Sequence, residues 1–423
     1  MVPADLNADH NNRRGSCPCC RSYRFLPIVE FFGCFLSSLP RCSSDINTFQ
    51  SPQNLLFEGC DVCGLARRNG AVVPDYSGAS RATSRQLPVY TRELIERLTQ
   101  IVDVNGLVVE IGANDGTFLE QLRAAGYKNL LGIEPSVPLG VVARAKGFRI
   151  ESSYFGPDIA KDIVARCGHA RMIVCRHTLE HVPDPLVFMN TIAQMLHPED
   201  GLGVIEVPDA TVIWDGLSFF ELWDQHLFYF DADSLGRLMV RAGLMVCETQ
   251  TRGHLETRNL ITLVRPRTSM SLDYGDTLRC PRRSRWMQFR ERVGYLRGSL
   301  GGVIHAAQKP VYLIGASHPQ MSFVNFLDIG RSVSTMIDDD PEKVGRIVPI
   351  CNGNLSIIST DQFLRRVGGG TVVSTGFGYP NWSERICAHA RITGMAVIDP
   401  RTFIMAARTS GKYGERRASE DVS

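Results

Sequence analysis

The chain shows no strong charge bias: 46 Lys and Arg stand against 44 Asp and Glu, a formal net charge of +2 over 423 residues. That balance excludes a nucleic-acid binder driven by bulk charge and a disordered acidic protein, and leaves a small molecule as the expected partner. Long apolar runs are missing too. The most apolar early stretch, FLPIVEFFGCFLSSLP (Phe25 to Pro40), carries Glu30 and two prolines and falls short of the roughly 20 residues of a spanning helix. No membrane segment is expected. Nor is a secretory leader, because the opening MVPADLNADHNNRRGS is polar and a cysteine cluster separates it from that run. The expected location is cytoplasmic.

Cysteine is not scarce but is unevenly placed, with 13 in all and seven within the first 63 residues. An odd total with that skew argues against a secreted disulfide framework and for a local metal site. Two knuckles stand out, Cys17-x2-Cys20 in CPCC and Cys60-x2-Cys63 in GCDVCG. Two thiolates spaced by two residues in a tight turn can share one ion, and two such pairs make a tetrahedral Zn2+ site. Four thiolates leave no open position for water, so the expected role is structural. Cys19 offers an alternative ligand to either neighbour.

Beyond this module the chain alternates strand-like and helix-like patterns. LVVEI, NLLGIEP, MIVCRH and GLGVIEVP are apolar runs with strand character, and GTFLEQLRAAG has helical spacing. Such alternation predicts an α/β fold with a parallel sheet. The pattern restarts at PVYLIGAS and runs through SVSTMIDDD, TVVSTGFG and MAVIDP, a second α/β unit. The expected organisation is a disordered leader over 1–16, a zinc-binding module over 17–75 and a central Rossmann-like domain over 76–266. A basic linker with an amphipathic helix follows over 267–307, then a C-terminal Rossmann-like domain over 308–410 and a tail over 411–423.

The stretch LVVEIGANDGTFL places Glu110, Gly112 and Gly116 as E-x-G-x-x-x-G at the end of a predicted strand. Glycines there let a ligand approach the backbone at the carboxyl edge of the sheet. A dinucleotide site would show G-x-G-x-x-G; the third glycine is absent and an acid closes the strand. An acid suits a cationic ligand, and S-adenosylmethionine carries a sulfonium and an ammonium. Glu134, 18 residues beyond Gly116 at the tip of the next strand, can accept both ribose hydroxyls.

On these residues the chain resembles the class I S-adenosylmethionine-dependent methyltransferases, and more narrowly the zinc-containing sugar C-methyltransferases of deoxysugar biosynthesis. The marks are the paired knuckles, EIGANDG, RHTLEHVPDP, WDQHLFYF and IDDDPEKVGRIVP. The resemblance implies a central methyltransferase domain between a zinc module and a C-terminal Rossmann-like domain, with Asn114 and Arg176 joining the cofactor contacts. It also implies a nucleotide-linked keto-deoxysugar as acceptor, with its nucleotide held by the C-terminal unit, where Lys343 and Arg346 are candidate phosphate contacts. His226 is the expected base or substrate-orienting group, His181 a second catalytic candidate, and Tyr76 a lid residue over the cofactor.

Carbon methylation needs a base to form an enolate and a group to stabilise it. Here the chain departs from the family's Tyr-His-Glu-His motif, carrying Trp223, Asp224, Gln225 and His226. Tryptophan offers no phenol to an enolate oxygen. An oxygen or nitrogen acceptor is therefore the alternative, and an inactive zinc-bearing interaction protein the reading from another class. The loop GHLETRNL holds Arg258 and Asn259, either substrate contacts or a polar pair at a strand edge.

Overall fold

The structure is a computed structural model, and it describes residues 15–34, 53–69, 89–254, 257–267, 282–350, 353–366, 368–376 and 379–410. Three sheets organise these residues. The first is antiparallel and begins with β1 (Phe25–Cys34), β2 (Gln53–Cys60) and β3 (Ala66–Asn69).

The central sheet contains β4 (Leu107–Ile111), β5 (Asn129–Ile133), β6 (Arg149–Glu151), β7 (Met172–Arg176) and β8 (Leu202–Pro208). A two-residue strand, β9 (Phe228–Tyr229), then leaves this unit and pairs with β3, so the first sheet runs β1-β2-β3-β9. The central sheet is completed by β10 (Leu244–His254) and β11 (Thr257–Pro266) in the order β10-β11-β8-β7-β4-β5-β6, parallel except for β11. Both faces of β4 are covered, as its apolar run requires: Leu107, Val109 and Ile111 enter one core and Val108 another. The strand order reverses between β4 and β7, which opens a crevice at their carboxyl ends.

The C-terminal sheet is built from β12 (Val311–Ile314), β13 (Thr335–Ile337), β14 (Ile347–Ile350), β15 (Gly353–Ile358), β16 (Thr371–Val373) and β17 (Ala396–Ile398), in the order β14-β15-β13-β12-β16-β17. Only the β14–β15 pair is antiparallel. Val311 and Leu313 face one core, Tyr312 and Ile314 the other.

The helix Arg282–Leu296 is more than a linker. Its Trp286, Phe289, Val293 and Leu296 are buried in one core with Phe31 and Phe57 of the first sheet, Trp214 of the central unit and Phe326 of the C-terminal unit. Trp214 packs edge-on against both Trp286 and Phe289 with ring centroids 5.1 Å apart. Arg285, one of the charges in the basic stretch, bonds Asp215 and Asp231 of the central unit. The first sheet and this helix thus join the two α/β units through a shared apolar core. Among the described residues, no helix is long and apolar enough to cross a membrane.

Candidate active site

The turn after β4 is set by three left-handed residues, Gly112 (φ 76°), Asn114 (φ 51°) and Gly116 (φ 80°). A Cβ on Gly112 would lie 2.4 Å from Thr178 Oγ1, so the backbone approaches the β7 turn more closely than any side chain permits. Asn114 takes a conformation that asparagine tolerates better than most residues. Its backbone N–H donates to Glu134 Oε2 at 2.8 Å, while Ser136 N–H donates to Oε1 at 2.8 Å. Each Glu134 oxygen has one lone pair taken by the protein and another to offer, the requirement for gripping a diol.

Glu110 is only 4% exposed, and its Oε2 has no hydrogen-bond partner among the described residues. Burial pushes its carboxyl up to about 8, with Arg176 opposing the shift and Glu134 and Asp115 adding to it. A buried orphan acid beside an acid with lone pairs to spare fits an adenosyl ligand with a cationic amino-acid end.

Arg176 Nε bonds Glu206 Oε2 at 2.5 Å, and its guanidinium lies 4.5 Å from the Phe118 ring centroid. Glu206 is fully buried and also accepts from Tyr90 Oη at 2.5 Å and from Asn259 Nδ2 at 3.2 Å. Burial acts to raise Glu206, but His177 and Arg176 hold it well below the usual carboxylate range. Asn259 therefore sits in the network around the crevice, whereas Arg258 pairs with Asp209 at 2.8 Å.

His177 has φ 48° and a half-exposed imidazole, with Nε2 3.5 Å from Glu206 and Nδ1 3.7 Å from Glu180. Desolvation works against its charge, yet the two carboxylates outweigh it and lift the imidazole to about 9. Neither His177 nor Glu206 is among the residues that the sequence motifs single out. An acid inside the buried strand GLGVIEVP was the available signal for Glu206.

His181 and His226 come together from segments 45 residues apart in the chain, their ring centroids 4.7 Å apart. The turn Leu179–His181 is tied to the second segment by Leu227 N–H donating to Glu180 O at 2.8 Å, and His181 Nδ1 lies 3.0 Å from Gln225 O. Pairing of β9 with β3 and the bond from Arg68 N–H to Leu227 O pin the segment from the other side. Burial holds both imidazoles below their ordinary range, with neighbouring imidazoles contributing. Both are available as neutral bases near pH 7.

A third imidazole comes from the C-terminal unit. His318, in LIGASHPQ, stacks on Trp223 with centroids 4.3 Å apart and planes at 21°. Trp223 also contacts His181 and His226, at 5.9 and 5.1 Å. Nothing in the sequence around PVYLIGAS marks the histidine that follows it. Lys343 pairs with Asp338 at 3.3 Å and Asp340 at 3.8 Å. Tyr76 lies outside the described residues.

At the module's end of the molecule, one ligand atom from each of Cys17, Cys20, Cys60 and Cys63 lies within 4.8 Å of the others. Cys17 Sγ and Cys63 Sγ are 3.4 Å apart, Cys20 Sγ and Cys60 Sγ 3.5 Å. A tetrahedron with Zn–S bonds of about 2.3 Å has edges of about 3.8 Å, so the donor set fits Zn2+ with small adjustments. Cys19 is buried but falls outside this set. Arg241 donates to the carbonyls of Cys17 and Pro18, joining the knuckle to the helix Ala232–Arg241 of the central unit.

Residues 84–249 match the sequence family described as Methyltransferase domain. Together with the glycine turn at the switch point, this makes the central unit a class I S-adenosylmethionine-dependent methyltransferase domain. Among curated proteins the chain is similar to C-methyltransferase NovU of Streptomyces niveus, 30% identical over 167 residues that cover 37% of this chain and 39% of the relative. The match thus spans well under half of that relative's length. Solved structures with similarity include an S-adenosylmethionine-dependent methyltransferase from Clostridium acetobutylicum ATCC 824 (12% identity, 45% of this chain and 96% of that one, TM-score 0.35). Another is the CcbJ methyltransferase from Streptomyces caelestis (14% identity, 46% and 98%, TM-score 0.36).

Proposed function

We propose that the chain is an S-adenosylmethionine-dependent enzyme that methylates carbon in a nucleotide-linked keto-deoxysugar. The observation that carries this reading is the meeting of His181 and His226 beside the turn after β7, on the same carboxyl edge as Glu110 and Glu134. When bound, S-adenosylmethionine supplies an electrophilic methyl group on a sulfonium. Glu134 holds the ribose hydroxyls, Glu110 faces the cationic end, and the Gly112 and Gly116 turn admits the ligand to the backbone. His226 removes the proton next to the sugar carbonyl, its burial keeping it neutral and able to accept. His181, held by the Gln225 carbonyl, orients the acceptor. Similarity to a C-methyltransferase supports carbon as the receiving atom.

Zn2+ bound by Cys17, Cys20, Cys60 and Cys63 has a structural part in this reading. It fixes the module whose β3 pairs with β9, next to His226. Metal analysis of protein purified without chelators should find one zinc per chain; none would remove the metal from the proposal.

The decisive experiment is mass spectrometry of a reaction in deuterated water with S-adenosylmethionine and a nucleotide-linked 4-keto-6-deoxyhexose. Methylated sugar, or enzyme-dependent entry of deuterium into the sugar, is the expected result. Neither product nor exchange, with adenosyl binding verified by calorimetry, would exclude this acceptor. Trp223 and Gln225, in place of tyrosine and glutamate, would then favour an oxygen or nitrogen acceptor.

A further inference from the structure

The keto-sugar reading leaves one chemical role unfilled. When His226 takes a proton from carbon, the C–H pair becomes a C=C bond and the carbonyl pair moves onto oxygen. That oxygen then needs a hydrogen-bond donor. Position 223 is tryptophan, so no phenol is available there. The nearby phenol of Tyr229 is already used: its hydroxyl donates to Trp223 O at 2.8 Å and accepts from Trp223 N–H at 2.9 Å.

We propose that His318, supplied by the C-terminal unit, is a catalytic hydrogen-bond donor to this oxygen. The proposal rests on the keto-sugar reading above and deepens it. Its first support is geometric: His318 and His226 both contact the same indole, at 4.3 and 5.1 Å from its centroid. The second is that His318 Nε2 is buried and has no hydrogen-bond partner among the described residues. A buried ring nitrogen left unpaired is costly, a cost that a hydrogen bond to a ligand oxygen would remove.

The ring is held in place from two sides. Trp223 lies against its face, and Ser322, one turn along the same helix (His318–Leu327), donates to Leu222 O at 3.0 Å, locking that helix onto the segment leading into Trp223. Burial and the neighbouring His181 lower the imidazole to about 3, so it stays neutral at working pH and can donate Nε2–H without competing as an acid. Charge and atoms balance: His226 gains the proton, the enolate carbon gains the methyl group as the C–S bond breaks, the carbonyl re-forms, and His318 keeps its own proton throughout.

The test compares His318→Ala and His318→Gln with the unaltered full-length protein. Deuterium entry into the 4-keto sugar, methyl transfer and adenosyl affinity are measured for each. His318→Ala should lower exchange and kcat by about 100-fold or more, as loss of one oxyanion donor does elsewhere. KM and S-adenosylhomocysteine affinity should stay within threefold. His318→Gln, which keeps an N–H donor, should recover at least tenfold of the exchange rate. Unimpaired exchange in His318→Ala would overturn the proposal while leaving the keto-sugar reading intact, and equal loss in both variants would make His318 a packing residue. An unaltered protein that binds adenosyl ligands but exchanges nothing would fell the keto-sugar reading, and the donor role with it.

Discussion

Replacing Glu110 with Gln tests the cofactor site through proton linkage. Glu110 is buried and its carboxyl is pushed from 4.5 up to about 8, a difference worth at most about 5 kcal/mol. Because the folded-state value lies above the unfolded one, the ligand-free protein loses stability as pH rises from 4.5 through 8, and regains none of it beyond. Glutamine removes that loss. Glu110→Gln should therefore be close to neutral at pH 5 and more stable than the parent at pH 8.5, as read by melting temperature. Ligand affinity should move the other way. At pH 7 most Glu110 carboxyls carry a proton, and a cationic ligand must displace it. Affinity for S-adenosylmethionine in the parent should then rise close to tenfold per pH unit between pH 6 and 7.5. Calorimetry in buffers of different ionisation enthalpy should count close to one proton released on binding. In Glu110→Gln that slope should vanish, and affinity at pH 7.5 should fall by about 1.5–3 kcal/mol, the worth of a hydrogen bond to a charged group. Equal affinity in the two proteins, with the same pH dependence, would refute the assignment of Glu110 to the cationic end of the cofactor.

Other perturbations probe the frame around the site. His177→Asn keeps a residue that tolerates φ 48° but removes the cation between Glu180 and Glu206. The folded-state value of His177 is raised from 6.5 to about 9, so its stabilisation is fully present below pH 6.5 and lost as pH rises through 9. The melting-temperature gap between variant and parent should thus be wider at pH 6 than at pH 9.5. Gly112→Ala sets a Cβ 2.4 Å from Thr178 Oγ1 at φ 76°, and should cost at least about 1–3 kcal/mol in a denaturant titration while abolishing adenosyl binding. Trp286→Ala empties the centre of the shared core and should cost about 3–5 kcal/mol, lowering the denaturation midpoint of the whole chain; a loss under 1 kcal/mol would mean the helix Arg282–Leu296 is only a tether.

Local physics made much of this protein legible in one dimension. A short β-branched run ending in an acid and two glycines allows few structures other than a strand feeding a tight turn, so Glu110, Gly112, Gly116 and Glu134 could be named before their positions in space were known. The knuckles were equally readable, because the approach of two thiols in Cys-x2-Cys depends on only four consecutive residues. Alternating patterns marked both α/β units, since a strand covered on both faces must be apolar throughout.

What only the tertiary structure decided are the contacts made between distant segments. Nothing local to WDQHLFYF reveals that Phe228–Tyr229 will pair with β3, since a two-residue strand carries no periodicity. The helix Arg282–Leu296 reads as basic, and its role as a core element depends on Trp214 and Phe31 being there to cover Trp286 and Phe289. His318 looks like the residue after an ordinary glycine turn until folding stacks it on Trp223, 95 positions earlier in the chain. Histidine carries no propensity that foretells its partner. Its protonation and its use are set by burial and by the groups brought within a few ångströms, and those exist only once the three sheets have packed.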